Sequence, residues 1–328
     1  RDVEPPVPGH DDVLVEVHRV GVAFPDLLLG HTSIVSFLQT TTPTSPTSSR
    51  SLIRIFLDLG QPDRSAAERL LAPLVPAAIR DFVAFEEHVE GVTASVDGAS
   101  DVVPEWYQAP TFYFTNPHTV LGPDDVLSPP VSERLDFELE VAVVLGGPAG
   151  SDLAPADAAT RIFGYTIMND WSARDLQGRE MKVRLGPAKG KDFGTSLGPW
   201  IVTADELEQF VDADGFLAIR AEVSVNGVPV GEDLVSNMGW PFPELVAYAS
   251  RNSRVVAGDV LGSGTVGNGG CLAELWGRRG ELSPPPLREG DVVTMVVEGI
   301  GTLSGTVGPA VAAEPVAAAR TRPRNRLR

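Results

Sequence analysis

From about residue 110 the chain is a succession of short β-like runs broken by glycine and proline turns. That pattern limits its fold more than any other feature. TFYF, FELEVAVVLG, IFGYTIMND, PWIVT, FLAIRAEVSVNG, VVAGDVLGSGT and DVVTMVVEGIG follow one another at short intervals. Such runs between turn signals read as strands. Asn226-Gly227 sits between two of them and reads as a hairpin turn. Helical breaks are short, near 154–161 (Pro155 to Arg161) and 242–251 (Phe242 to Arg251). The expected fold class is mixed α+β and β-rich. The 33 glycines and 28 prolines supply turns, and 43% hydrophobic residues supply a core. No tandem repeat is visible.

The first third reads differently. Residues 11–23 alternate Val13, Val15 and Val17 as a strand would, and residues 39–51 form a Ser/Thr/Pro linker. Ser65, with Glu68 three residues on, reads as the cap of a short helix through Leu71. Pro76 then opens a helical pattern in which Ile79, Phe82, Phe85 and Val89 recur, with Gly91 as its stop. The segment 311–328 carries Arg320, Arg322, Arg324, Arg326 and Arg328 and reads as a disordered tail.

Charge excludes some partners. Asp and Glu total 44 against 26 Lys and Arg, a net charge of −18. Nucleic acid and anionic membrane surfaces are therefore not expected partners. No apolar run approaches the ~18 residues that span a bilayer. The N-terminus carries no secretory pattern, so a cytoplasmic location is expected. The single cysteine, Cys271, rules out an internal disulfide and a Cys-rich zinc site. No two of the five histidines have metal-binding helical spacing, so any metal should be held by carboxylates.

Four segments concentrate polar chemistry. In Asp136-Phe137-Glu138-Leu139-Glu140-Val141, period-two geometry puts the three acids on one strand face. A half-solvated edge strand satisfies this pattern, and so does a strand whose glutamates hold a hard divalent ion. A second strand ends at Asn169-Asp170, followed by Trp171-Ser172-Ala173-Arg174-Asp175-Leu176-Gln177. A salt-bridged turn and a binding site are equal readings there. The glycine-rich LGPAKGKDFGT offers Lys191 to an anion but lacks the phosphate-loop spacing. The run SGTVGNGGCLAEL places Glu274 among apolar residues, where a structural acid and a catalytic one are equal readings; Cys271 reads as a structural thiol. His88 lies among Glu86, Glu87 and Glu90. Their charge should favour its imidazolium form, whether on a solvated helix face or in a site. His118 offers no clear signal.

In order and interval these blocks jointly resemble the fumarylacetoacetate hydrolase family over about residues 75–308. The resemblance implies a mixed β-sandwich roll around a Mg²⁺ or Ca²⁺ site, with Mn²⁺ as an alternative ion and no nucleotide cofactor. It implies Glu138, Glu140 and Asp170 as metal ligands. Lys191, Arg174, Gln177, Tyr113 and Thr265 become substrate contacts, with Lys191 also in the catalytic set. His88 becomes the general base on a lid, oriented by Glu274, with Glu87 or Glu90 as alternative partners. The implied activity is hydrolysis of a carbon–carbon bond in a 1,3-diketone acid such as fumarylacetoacetate or an acylpyruvate, in aromatic catabolism, by a homodimer. A decarboxylase or isomerase of the same family is the near alternative, and a non-catalytic member with a damaged N-terminus the distant one. Residues 8–30 instead resemble the start of a quinone oxidoreductase. The expected organisation is therefore an oxidoreductase-like fragment at 1–38, the linker at 39–51, a lid-bearing segment at 52–125, a catalytic domain at 126–310 and the tail at 311–328.

Overall fold

A computed structural model of the chain describes residues 57–58, 69–97, 102–324 and 326. The readings of residues 1–38 and of the linker at 39–51 lie outside the described residues, as do Ser65 and Glu68. Two short strands, β1 (Leu57–Asp58) and β2 (Arg69–Leu70), pair antiparallel. The helix expected to run through Leu71 therefore meets a strand at residues 69–70.

Along the chain follow β3 (Ile79–Phe82), helix α1 (Glu86–Asp97), β4 (Phe112–Thr115), β5 (Val120–Leu121), β6 (Val126–Leu127), β7 (Leu135–Asp136) and β8 (Leu139–Leu145). Helix α2 (Pro155–Ala159) leads to β9 (Ile162–Asp170), β10 (Ser172–Ala173), helix α3 (Arg174–Met181) and β11 (Thr195–Thr203). The remainder is β12 (Arg220–Val225), β13 (Val228–Leu234), helix α4 (Phe242–Ser250), β14 (Val260–Gly262), helix α5 (Leu272–Arg279), β15 (Val292–Val297) and β16 (Gly301–Val307).

Two mixed sheets dominate. One has seven strands in the order β4-β3-β14-β8-β9-β11-β5; the other has five, β13-β12-β15-β16-β6. The parallel pairs are β14 with β3, β11 with β5 and β16 with β6. A two-stranded ladder joins β7 to β10. The larger core lies between the sheets: Val141, Val143, Ile167 and Leu261 meet Val223, Met295, Val297 and Leu303. A smaller core covers the opposite face of the seven-stranded sheet, with Ile79, Ala142, Val144, Met168, Leu197 and Val260. Burial on both faces explains why β8 is apolar or acidic throughout, with every residue buried. It is the central strand of seven, and the edge-strand reading of 136–144 is discarded.

The helix expected from Pro76 to Gly91 is corrected. Residues 79–82 form a buried strand beside β14, and α1 begins only at Glu86 and runs through Gly91 to Asp97. Pairing on both sides of β3 overrides the helical spacing of its apolar residues. Gly91 is a contact residue: a Cβ there would come within 2.4 Å of Glu274 Cγ. The hairpin and the two helical breaks are as expected. Asn226 and Gly227 turn the β12–β13 hairpin with φ of 52° and 75°. The breaks near 154–161 and 242–251 are α2 and α4. Beyond Val311, residues 312–324 are exposed and carry no regular structure. Among the described residues no helix is long and apolar enough to cross a membrane.

Candidate active site

The smaller core ends in acids. Along β3, β8 and β9, Ile79, Val144, Ala142 and Met168 pack together. Period-two alternation continues that same face with Asp81, Glu140 and Asp170. Glu138, two residues before Glu140 and just ahead of β8, has the same parity. All four carboxylates are buried. Oxygens of Asp81, Glu138 and Glu140 lie within 4.8 Å of one another. Gly262 lets them converge, because a Cβ there would sit 2.5 Å from Glu140 Oε2 and 2.9 Å from Asp81 Oδ1.

Lys191 enters from the loop after α3. Its Nζ donates to Glu138 Oε2 and, at 2.6 Å, to Asp170 Oδ2. Tyr113 donates its phenol proton to the same Asp170 oxygen. Arg174, the first residue of α3, places its guanidinium 2.7 Å from Glu138 Oε1 and 2.8 Å from Asp136 Oδ2, and donates to Gln177 Oε1 at 3.1 Å. Asp136 does not join the other acids. Its oxygens accept from the N–H groups of Leu272 and Ala273 at 2.8 and 2.9 Å, so it caps α5 while holding Arg174.

The electrostatics are unbalanced. Burial would raise the Glu138 carboxyl, but Lys191 and Arg174 hold it well below the usual carboxylate range. Burial also opposes the Lys191 charge, which Asp170 and Glu138 nonetheless keep above the ordinary lysine range. Burial pushes Asp81 and Glu140 well above their ordinary values, and the neighbouring carboxylates push in the same direction. Asp170 is raised by burial and by Glu138, against the pull of Lys191. Asp81 Oδ1, Glu140 Oε1 and Asp170 Oδ1 are buried without a hydrogen-bond partner. Four crowded carboxylates, three of them with an orphaned oxygen, face two cationic side chains and form a donor set suited to a hard divalent ion.

His88 lies in the first turn of α1 and is buried, while Glu86, Glu87 and Glu90 are exposed. The expected imidazolium is therefore corrected. Burial lowers its pKa to about 4, outweighing the attraction of Glu138. Its partner in space is Glu274: His88 Nδ1 is 4.0 Å from Glu274 Oε2 and 3.7 Å from Cys271 Sγ. Glu87 instead pairs with Arg278. Burial raises Glu274 to about 7, against the pull of Arg278. Thr265 is buried in the loop after β14, and His118 is exposed.

Sequence reasoning missed Asp81, because its segment looked helical; a lone Arg-Asp pair inside the apolar run AAIRDFVAF was the available signal. It also grouped Asp136 with Glu138 and Glu140 by alternation, whereas the chain passes from β7 to β8 between them.

The family model for the C-terminal domain of fumarylacetoacetate (FAA) hydrolase matches residues 77–308. A fumarylacetoacetase of Arabidopsis thaliana is 31% identical over 300 residues, covering 73% of this chain and 71% of the relative. The oxaloacetate tautomerase YisK of Bacillus subtilis is 29% identical over 253 residues, covering 76% and 77%. Among solved structures, a fumarylacetoacetate hydrolase of Exiguobacterium antarcticum superposes with a TM-score of 0.58 at 27% identity, covering 75% of this chain and 80% of that one.

Proposed function

The chain belongs to the fumarylacetoacetate hydrolase family, and from that premise we propose that it is a metal-dependent hydrolase of a carbon–carbon bond in a 1,3-diketone acid. The observation that carries the reading is His88: a buried, neutral imidazole with a ring nitrogen within 4.8 Å of a Glu138 oxygen and Glu274 behind it. An imidazole neutral at physiological pH is free to accept a proton.

In this reading Asp81, Glu138, Glu140 and Asp170 hold Mg²⁺ or Ca²⁺. Bound there, the ion supplies Lewis-acid polarisation of the substrate carbonyl. His88 takes a proton from water, and the resulting hydroxide attacks that carbonyl. Glu274, facing Nδ1, orients the ring and stabilises its charged form. Carbon–carbon cleavage leaves an enolate, whose charge Lys191 and Arg174 stabilise, and His88 returns its proton to the product carbon. Gln177 steadies Arg174, Tyr113 sits over Asp170, and Thr265 borders the substrate. A homodimer in the cytoplasm completes the proposal.

The likeness to an oxaloacetate tautomerase favours a second reading, proton transfer on an enolisable keto acid without attack by water. One set of assays separates the two. Fumarylacetoacetate and acylpyruvates are offered with Mg²⁺ and then with chelator, and oxaloacetate enol–keto exchange is followed in parallel. Hydrolysis that chelator abolishes is the expected result, with His88→Ala retaining metal but losing turnover. Full hydrolysis in chelator would overturn the metal-dependent mechanism. Exchange without cleavage would assign the second reading.

A further inference from the structure

Glu138 belongs to two donor sets. On one side are the oxygens of Asp81 and Glu140. On the other, a ring nitrogen of His88, the Cys271 sulfur and a Glu138 oxygen all lie within 4.8 Å of one another. All three residues are buried. The first set is all oxygen and suits a hard ion; the second is nitrogen, sulfur and oxygen, the donor types of zinc.

The spacing supports that assignment. Ligand distances of about 2.3 Å to sulfur and about 2.05 Å to nitrogen, at a tetrahedral angle, put the two donors roughly 3.6 Å apart. Cys271 Sγ and His88 Nδ1 are 3.7 Å apart. A fourth donor is at hand: Glu274 Oε2 is buried, has no hydrogen-bond partner and lies 4.0 Å from the same ring nitrogen.

We propose that His88, Cys271 and Glu138 form a site for a thiophilic divalent ion such as Zn²⁺, distinct from the all-oxygen cluster and sharing Glu138 with it. Binding forms a metal–sulfur bond and releases the thiol proton to solvent. Both Glu138 oxygens are already paired, Oε1 with Arg174 and Oε2 with Lys191, so ligation draws one of them from its cationic partner. His88 becomes a ligand and can no longer accept a proton from water, so the ion inhibits. That inhibition rests on the reading of His88 as the base; the binding does not.

The test is a Co²⁺ titration of the full chain in saturating Mg²⁺, followed by displacement with Zn²⁺. Wild-type protein should develop a thiolate-to-cobalt charge-transfer absorption that saturates at an equimolar ion and disappears on adding Zn²⁺. Cys271 is the N-cap residue of α5, its sulfur accepting from the Glu274 N–H at 3.4 Å; Cys271→Ser, whose hydroxyl can accept the same bond, should lack the band and bind Zn²⁺ at least about tenfold more weakly. His88→Gln should weaken Zn²⁺ similarly. Absence of the band in wild-type protein, or unchanged zinc affinity in Cys271→Ser, overturns the proposal. Because the readout is optical, failure of the hydrolase reading leaves it intact.

Discussion

Lys191 carries much of the site's stability, because two buried carboxylates share its ammonium. Removing one partner of a buried charge pair costs about 3–5 kcal/mol. Lys191→Met should lose stability of that order in urea unfolding, and added Mg²⁺ should restore part of it. His88 sets a pH dependence. Its pKa is about 4 in the folded chain against 6.5 for an ordinary imidazole. Between those values the unfolded chain binds the proton and the folded chain does not. Stability from the neutral ring is therefore full above pH 6.5 and is lost as pH falls toward 4. Glu274 acts in the opposite sense: with a pKa of about 7 against 4.5, its contribution is full below pH 4.5 and is lost as pH rises through 7. Glu274→Gln should therefore lose less stability than wild type between pH 5 and 8. The acid limb of kcat/KM should fall near pH 4. The strand acids, Asp170 and the glycine-loop lysine were legible in the sequence as charges at regular or punctuated positions. The neutrality of His88 was not, because it depends on which side of α1 faces inward.

At the level of elements, the site depends on how closely α1 and α5 cross. A Cβ at Gly277 would sit 1.9 Å from Gly91 O, so the helices meet backbone to backbone. Gly277→Ala must push them apart, and with them His88 on α1 and Glu274 on α5. A loss of about 1–3 kcal/mol in unfolding stability is expected, with a fall in kcat larger than any change in metal affinity. Most of the longer strands of the two sheets were readable from alternation and turn residues, and the β12–β13 hairpin from Asn226-Gly227, whereas the two-residue strands β5 and β6 carry too little pattern to be seen. The boundary between β3 and α1 was not. Ile79, Phe82 and Phe85 satisfy a helical period, and only pairing with β14, nearly two hundred residues away in sequence, makes the first part a strand.

At the scale of the molecule, the excess of negative charge reaches the interior, where the carboxylate cluster opposes folding until a cation joins it. An ion that binds only the folded state stabilises it by about 2.7 kcal/mol at a hundred times its Kd. Mg²⁺ or Ca²⁺ should therefore raise Tm by roughly 5–10 °C, and Glu140→Gln or Asp170→Asn should reduce that rise as metal affinity falls. The β-rich organisation was legible from the run of strand signals and its layering only from the family resemblance; that one face of one sheet changes from apolar to acidic was not, since it takes three distant strands in register to assemble it. Asp136 ties these scales together. Its carboxylate engages the arginine that opens α3 and the first amides of α5 at once. The Arg174 guanidinium and the helix carrying Glu274 therefore share one anchor, and neither can be repositioned independently of the other. Any change that moves one arm would have to retune both together, or abandon the tether and rebuild each on its own.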